Sequence, residues 1–282
     1  MNSAHPPIDA VREVISRALA EDLGPLGDIT ANLLGHDVRA SADIVVRADG
    51  VLAGRLAATE AFAQVDPSVA VFWSVDDGDD IGPGNAIAHV AGPLIPILTA
   101  ERTALNLLGH LSGVATLTRR YVDVVAGTRA RIRDTRKTAP GLRALEKAAV
   151  RAGGGVNHRG SLSDGILLKD NHLAGISIAE AVDEARRRWP GRIIEVECDD
   201  RDQVTQALGA GADMVLLDNM SPAEVAECVG EVAGGCMVEV SGGVTLDNAA
   251  DHAAAGADLI SVGAITHSAP VLDIALDIQP AI

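Results

Sequence analysis

Residues 193–243 read IIEVECDDRDQVTQALGAGADMVLLDNMSPAEVAECVGEVAGGCMVEVSGG. Three short aliphatic runs, at 193–197, 214–217 and 237–240, alternate here with two helical patterns, at 202–208 and 222–232. Regular alternation of this kind is typical of parallel strands joined by right-handed helical crossovers. The stretch therefore predicts an α/β fold built on a parallel sheet.

The same rhythm continues on both sides of this stretch. Further strands are predicted at 130–135, 165–168 and 259–262, and further helices at 142–152 and 178–188. The tetrapeptide AGAD also occurs twice, at 210–213 and 255–258, each time just before a strand. A full eight-unit barrel takes about 250 residues, more than this part of the chain offers, so we expect an incomplete β/α barrel of roughly six strands.

The N-terminal part of the chain has a different pattern. Residues 8–20, 56–65 and 94–111 have helical spacing, whereas 44–46, 69–75 and 86–90 are short β-like runs separated by Gly, Asp and Pro. Mixed elements without a strand–helix repeat predict a small α+β domain ahead of the barrel.

Composition excludes several classes of protein. Hydrophobic residues make up 48% of the 282 residues and aromatic residues 2%, which favours an aliphatic core between a sheet and helices. The formal net charge of −16 argues against nucleic-acid and acidic-membrane partners. The N-terminus lacks a signal-peptide pattern, and no apolar run is long enough to span a membrane. Since Cys198, Cys228 and Cys236 form no CxxC pair, we expect a cytoplasmic protein.

A basic cluster follows the first predicted strands of the barrel. Arg136 and Lys137 follow strand 130–135, Lys169 follows strand 165–168, and Arg159 lies in the Gly-rich loop between them. Parallel α/β folds place their chemistry beyond the carboxyl ends of the strands, so we predict an anion-binding site here. The neighbouring cations within the helical pattern are assigned to a solvated helix face; they are Arg143, Lys147 and Arg151.

Acidic and glycine residues follow the later strands. Glu197 and Asp218 are candidates for binding Mg²⁺ or ribose hydroxyls, since magnesium prefers carboxylates, water and substrate phosphates. Glu195 shares the strand face of Glu197 and is expected to form an ion pair in the barrel lumen. The segments Ser241–Gly243 and Gly263–Ala264 end the last two strands and predict a phosphate-binding backbone.

Histidines and lysines leave other interpretations open. His158 and His172 lie where chemistry is expected, whereas His110, on an apolar helix, is interpreted as a core histidine. Lys137 or Lys169 could instead form a Schiff base, as lysines at the strand ends of barrel aldolases do. A non-catalytic sensor of phosphate ligands is a third interpretation, and the number of acids and bases converging on one face argues against it.

Taken together, the motifs closely resemble those of the quinolinate phosphoribosyltransferases. The resemblance spans nearly the whole chain, from Glu21-Asp22-Leu23 to Leu272-Asp273-Ile274. Its most specific parts are the segments TRKTAPGLR at 135–143, GGGVNHR at 153–159, LKDNH at 168–172, LDN at 217–219 and VSGG at 240–243.

This resemblance implies an α/β sandwich domain at 1–111, joined by the tail 271–282, and an open barrel at 112–270. It also implies a homodimer, or a higher oligomer, in which Arg102 reaches the partner's active site. The implied activity joins quinolinate to phosphoribosyl pyrophosphate with Mg²⁺ and releases carbon dioxide. The alternative is a related transferase for another aromatic acid.

Site residues carried over from the resemblance fall into three groups. Lys137, Glu197 and Asp218 are implied as catalytic, and the two carboxylates as magnesium ligands through water and substrate. The substrate-binding positions are Arg102, Thr135, Arg136, Lys137, His158, Arg159, Lys169, Glu197, Asp218, Ser241, Gly242, Gly243, Gly263 and Ala264.

Overall fold

The computed structural model describes residues 5–280, which form two compact units. Among the described residues the first consists of 5–119, 138–154 and 265–280, and the second of 120–137 and 155–264. In chain order the helices and strands are α1 (Ile8–Leu23), β1 (Arg39–Val46), β2 (Gly50–Val51), α2 (Arg55–Val65), β3 (Ala70–Trp73), β4 (Asp80–Ile81), β5 (Ala86–Pro93), α3 (Leu94–Val124), β6 (Arg131–Arg133), α4 (Arg143–Ala152), β7 (Ile166–Leu168), α5 (Ile178–Arg188), β8 (Ile194–Cys198), α6 (Arg201–Gly209), β9 (Met214–Asp218), α7 (Pro222–Val232), β10 (Met237–Ser241), α8 (Ala249–Ala254), β11 (Leu259–Ser261), α9 (Ala264–His267) and β12 (Ile274–Pro280).

An antiparallel sheet of four strands, in the order β12-β1-β5-β3, forms the framework of the first unit. Alternate residues of β1 are buried, the pattern of a strand with one face on a core. α1 packs on α2, and α1 buries the apolar stripe that its spacing predicts. β12 runs antiparallel to β1, so the C-terminal tail is part of this sheet.

α3 extends over 31 residues, so the predicted end of this helix at residue 111 was wrong. The helix passes through Gly109 and Gly113, which are poor helix formers. A Cβ at Gly113 would lie 2.0 Å from the carbonyl oxygen of Pro270, so glycine lets the chain cross the helix in backbone contact. Packing of this kind outweighs local propensity. Among the described residues, no helix is both long and apolar enough to cross a membrane.

The second unit confirms the predicted α/β barrel. Its six strands are all parallel and follow in the order β7-β8-β9-β10-β11-β6. This is the order of a β/α barrel in which β6 and β7 stand at the two edges. Within the described residues no ladder joins these edges, and a single bridge pairs Arg133 with Val156. The barrel is therefore incomplete, as the length of the segment predicted.

The repeated AGAD segments have the same structural role in two barrel units. The Asp213 carboxylate accepts a hydrogen bond from the Ile194 N–H at 2.8 Å, and Asp258 accepts one from the Val238 N–H at 2.9 Å. Each aspartate therefore caps the beginning of a neighbouring strand. An arginine from a neighbouring segment pairs with each carboxylate, Arg186 with Asp213 and Arg129 with Asp258.

Candidate active site

A cavity of about 370 Å³ lies at the carboxyl ends of the barrel strands. Asp218 and Ser241 end β9 and β10 and are register partners, so they stand at the same level of the sheet. Nine of the residues predicted from the sequence line this one cavity. The complete lining is Thr135, Arg136, Lys137, His158, Arg159, Leu167, Lys169, Glu197, Leu216, Asp218, Glu239, Ser241 and Ser261.

Basic side chains dominate one part of this lining. Arg136 and Lys137 follow β6 and are exposed, whereas Arg159 is half-buried and donates a hydrogen bond to the Gly165 carbonyl at 3.1 Å. Burial of its guanidinium, and then repulsion from Arg136, lower the pKa of Arg159 from its usual value. An anion bound in this cavity would offset the repulsion between the two guanidinium groups.

Lys169 and Glu197 form an ion pair inside the cavity. The lysine side chain is 41% exposed and that of the glutamate 13% exposed, so the pair is partly solvated. The sequence placed these residues in different substrate sites, and the structure joins them. Asp218 accepts a hydrogen bond from the Asn219 side-chain amide at 2.6 Å and is also half-buried.

A second group of charges lies in the barrel lumen, and its member Glu239 was missed at the sequence level. Glu239 on β10 is fully buried and accepts hydrogen bonds from Arg133 on β6 and Ser261 on β11. Burial, and then the nearby Glu195 carboxylate, raise the pKa of Glu239 to about 7. A charged residue inside an otherwise aliphatic barrel strand is the signal that could have identified this group.

Glu195 completes the lumen group. Its Oε1 lies 4.0 Å from Arg133 Nη1, which confirms the lumen ion pair predicted for this residue. Burial raises the pKa of Glu195, and Arg133 acts in the opposite direction. His158, Glu195 and Glu239 offer possible metal-ligand atoms within 4.8 Å of one another. Because the Arg133 guanidinium already compensates Glu239, we assign these groups to an internal ion-pair network.

The loop that carries His158 and Arg159 is anchored by Asp134, another residue that the sequence did not single out as functional. Asp134 is fully buried at the end of β6. One of its carboxylate oxygens accepts the His158 backbone N–H at 2.7 Å, and the other accepts the Asn157 side-chain amide at 2.6 Å. A carboxylate at the end of a barrel strand and two residues before Arg136 is a signal for such an anchor.

The predicted phosphate segment has an unusual backbone. Gly242 and Gly243 have φ values of +87° and +61°, a region that disfavours other residues. A Cβ at Gly242 would lie 2.2 Å from Asn219 Oδ1, so this position requires glycine. Ser241 lines the cavity. The other predicted phosphate-binding positions are not among the described lining residues; they are Gly242, Gly243, Gly263 and Ala264.

Other predicted residues lie in the first unit. Arg102 is exposed on α3. His110 Nε2 lies 2.8 Å from Glu146 Oε1, which confirms His110 as a histidine with an internal partner. The assignment of α4 to a solvated face was wrong for Lys147, which is buried, and for Arg143 and Arg151, which are half-buried. The charge pattern of α4 suggested that this face of the helix is open to solvent, but other parts of the chain cover it. Arg151, for example, donates a hydrogen bond to the His5 carbonyl.

Both parts of the chain match domains of known proteins. Residues 28–112 match the N-terminal domain of quinolinate phosphoribosyl transferase, and residues 114–277 match its C-terminal domain. The chain belongs to the quinolinate phosphoribosyltransferase family. Together these two matches account for nearly all of the chain.

Individual relatives of this family are similar over nearly their full length. Nicotinate-nucleotide pyrophosphorylase (carboxylating) of Mycobacterium leprae is 44% identical, covering 96% of this chain and 98% of the relative. A probable enzyme of the same name from Bacillus subtilis is 40% identical, covering 95% and 93%. The solved structure of the Francisella tularensis nicotinate-nucleotide pyrophosphorylase has a TM-score of 0.93 and 38% identity, covering 98% of both chains.

Proposed function

We propose that the chain transfers the phosphoribosyl group of phosphoribosyl pyrophosphate to quinolinate and releases pyrophosphate and carbon dioxide. The product is nicotinate mononucleotide, a precursor of NAD. The observation that carries the proposal is the cavity at the barrel strand ends, which is lined by the cations Arg136, Lys137 and Arg159 and also by the carboxylates Glu197 and Asp218. One cavity therefore offers cations for an acidic substrate and carboxylates for a ribose phosphate.

The quinolinate end is assigned to the basic part of the cavity. Arginine can pair with a carboxylate through two parallel hydrogen bonds, whereas lysine acts as a point charge. Arg136 and Arg159 are therefore proposed to hold the quinolinate carboxylates, with Lys169 released from Glu197 when the acid binds. Thr135 accepts the Lys137 backbone N–H at 3.0 Å and keeps this strand end in place.

The phosphoribosyl pyrophosphate end is assigned to Glu197, Asp218 and the segment Ser241–Gly243. Two carboxylates in one cavity offer the oxygen donors that Mg²⁺ prefers, together with water and substrate phosphate, so the residues fit this ion. Bound there, Mg²⁺ would neutralise charge that develops on the departing pyrophosphate. The backbone at Gly242 and Gly243, with Gly263 and Ala264 after the next strand, is proposed to bind the 5′-phosphate.

The reaction needs no nucleophile from the protein. The pyridine nitrogen forms a bond to the anomeric carbon of ribose while the bond to the pyrophosphate oxygen breaks. Lys137 is proposed as catalytic because its positive charge stabilises the negative charge that develops in this step. The carboxylate beside the ring nitrogen then leaves as carbon dioxide, its electron pair remains on the ring carbon beside the pyridinium, and that carbon takes up a proton.

Assembly and location are part of the same proposal. The exposed Arg102 on α3 is proposed to enter the active site of a second copy of the chain, which makes a homodimer the functional unit. Higher assemblies built from such dimers remain compatible with this arrangement. The three cysteines are free thiols, which supports a reducing compartment such as the cytoplasm.

Incubation with quinolinate, phosphoribosyl pyrophosphate and Mg²⁺ tests the proposed function. Carbon dioxide, pyrophosphate and nicotinate mononucleotide should appear in equal amounts and only when both substrates are present. Reduction with borohydride during turnover should trap no adduct. A covalent adduct on Lys137 or Lys169, or mononucleotide without carbon dioxide, would contradict the proposed reaction.

A further inference from the structure

The loop that follows Arg159 in the second unit is closed at its base by the Asp164 carboxylate. Asp164 Oδ2 accepts the backbone N–H groups of Gly160 at 2.7 Å and of Ser161 at 3.0 Å, and Oδ1 accepts the Ser161 hydroxyl at 2.8 Å. The hydrogen bond from this hydroxyl, and then that from the Gly160 N–H, hold the pKa of Asp164 below its usual value. The main chain directly after Arg159 is therefore tied to an ionised side chain.

The Arg159 side chain is tied to the other end of the same loop. Arg159 Nη1 donates to the carbonyl of Gly165, the residue after Asp164, at 3.1 Å. Gly165 in turn directly precedes β7. Two contacts therefore cross the base of the loop, and they fix both the backbone after Arg159 and its guanidinium group.

Hydrogen bonds, more than apolar packing, hold this loop. Residues 160–164 lie between the elements of the second unit, and the one large apolar side chain among them, Leu162, is 71% exposed. Arg192 adds a contact from another part of the chain, with Nη1 3.4 Å from the Asp164 carbonyl oxygen. A segment held in this way opens easily when its hydrogen bonds are removed, and the barrel core is not disturbed.

We infer that Asp164 is a positioning residue, which acts on quinolinate through Arg159 and does not contact the acid itself. The inference rests on the proposed function, in which Arg159 binds a quinolinate carboxylate. Asp164 is not among the described residues that line the cavity. Long cationic side chains lose conformational freedom when they bind a ligand. A loop that is already closed lowers this cost for the acid substrate, because the guanidinium starts from the correct place.

Substitutions at Asp164 separate its hydrogen bonds from its charge. Asn keeps an oxygen that can accept the two backbone N–H groups but loses the charge, whereas Ala loses both. If Asp164 positions Arg159, Asp164→Asn should keep the dissociation constant for quinolinate within about threefold, and Asp164→Ala should raise it about tenfold. Calorimetric titration with quinolinate measures these constants, and KM for phosphoribosyl pyrophosphate should stay within about twofold in both variants.

Hydrogen exchange of the free protein reports on the closed loop directly. The backbone amides of Gly160 and Ser161 should exchange at least about tenfold faster in Asp164→Ala than in the unaltered protein, and Asp164→Asn should restore most of their protection. Unchanged exchange in Asp164→Ala would overturn the inference, because the carboxylate would then not hold the loop.

A double-mutant cycle tests whether Asp164 acts through Arg159. In an Arg159→Ala background, Asp164→Ala should change quinolinate affinity by less than about twofold, since the residue through which it acts is gone. A direct ligand would lose the same factor in both backgrounds. Asp66→Ala is the matched control and should leave both constants unchanged, because the Asp66 carboxylate accepts the Ser68 backbone N–H at 2.8 Å in a turn of the first unit.

The outcomes separate this inference from the proposed function. Failure of the unaltered chain to turn over quinolinate would overturn the proposed function and this inference with it. Turnover by the unaltered chain, together with additive losses in the cycle or with equal effects of Asn and Ala at position 164, would overturn the inference alone. Parallel loss of affinity for both substrates in Asp164→Ala would also overturn it, because that result indicates general disruption of the barrel.

Discussion

The Lys169 ammonium group lies against the Glu197 carboxylate, and this ion pair joins the two halves of the proposed substrate site. In the proposed function quinolinate binds the Lys169 cation and the ribose phosphate binds the Glu197 carboxylate. Each substrate is therefore expected to compete with the ion pair when it binds. The ion pair keeps both groups compensated in the ligand-free cavity.

Glu197→Gln should separate the two roles of this pair. Removal of the carboxylate charge leaves Lys169 uncompensated, so quinolinate should bind as tightly as before or up to about threefold more tightly, the range of a partly exposed pair. Turnover should fall, because the ribose end loses a ligand. Calorimetric titration with quinolinate and a steady-state assay measure the two effects. Weaker quinolinate binding would show that Glu197 contributes to the acid site itself.

Asp218→Asn should reduce turnover much more than quinolinate affinity. Its proposed partners are phosphoribosyl pyrophosphate and Mg²⁺, and loss of charge stabilisation at a reacting centre commonly costs roughly a hundredfold in kcat. The dissociation constant for quinolinate should stay within about twofold of the unaltered value. An effect confined to quinolinate would remove Asp218 from the proposed role. Because the substitution also exchanges a carboxylate for an amide, it serves as the matched control for Glu197→Gln.

Subunit mixing tests the proposed position of Arg102. Arg102→Ala and Lys137→Ala should each be inactive alone. After exchange in equal amounts, half of the dimers are hybrids with one intact site of two, so about a quarter of the unaltered activity should return. Mass spectrometry of differently labelled subunits verifies the exchange. Complete exchange without recovered activity would contradict a site shared between subunits.

Glu239 should make stability depend on pH in a direction opposite to that of most carboxylates. Its pKa is raised from 4.5 to about 7 in the folded protein, so the folded state binds more protons than the unfolded state between these values. Stability from this group is present below about pH 4.5 and is lost as the pH rises to about 7. Relative to Glu239→Gln, the free energy of unfolding of the unaltered protein should fall by up to about 3 kcal/mol over this pH range.

Urea unfolding at a series of pH values measures this difference for Glu239. Glu227→Gln, on the exposed face of α7, is the control and should follow the unaltered protein at each pH. If the free energy of unfolding changes with pH equally in Glu239→Gln and in the unaltered protein, Glu239 remains ionised in the lumen.

Local patterns were sufficient to predict most of the architecture. α7 was predicted to the residue, because Ser221 and Pro222 are strong signals for the start of a helix and Ser221 forms a capping box with Glu224. The six barrel strands were predicted within about two residues of their observed bounds, because most of them are short aliphatic runs between helical patterns. Parallel α/β folds place their chemistry at the carboxyl ends of the strands, and nine residues predicted to form the site line one cavity there.

Contacts between distant parts of the chain were not predictable in this way. Glu239 and Arg133 are 106 positions apart, and their pairing depends on the strand order that brings β10 and β6 on either side of β11. The Lys169–Glu197 pair depends on side-chain direction, which spacing does not specify. Lys147 shows the same limit, because its helix is covered on the face that its charge pattern marked as open.

Selectivity between quinolinate and nicotinate tests the central claim most directly. The cavity lining contains four cationic side chains and three carboxylates, and Arg133 already compensates one of the carboxylates, Glu239. Removal of one substrate carboxylate should leave a cation that the bound acid covers without its partner, at a cost on the order of 2–5 kcal/mol. Steady-state kinetics at saturating phosphoribosyl pyrophosphate should therefore give a kcat/KM for quinolinate at least roughly thirtyfold above that for nicotinate. Comparable values for the two acids would contradict a pocket built for two carboxylates.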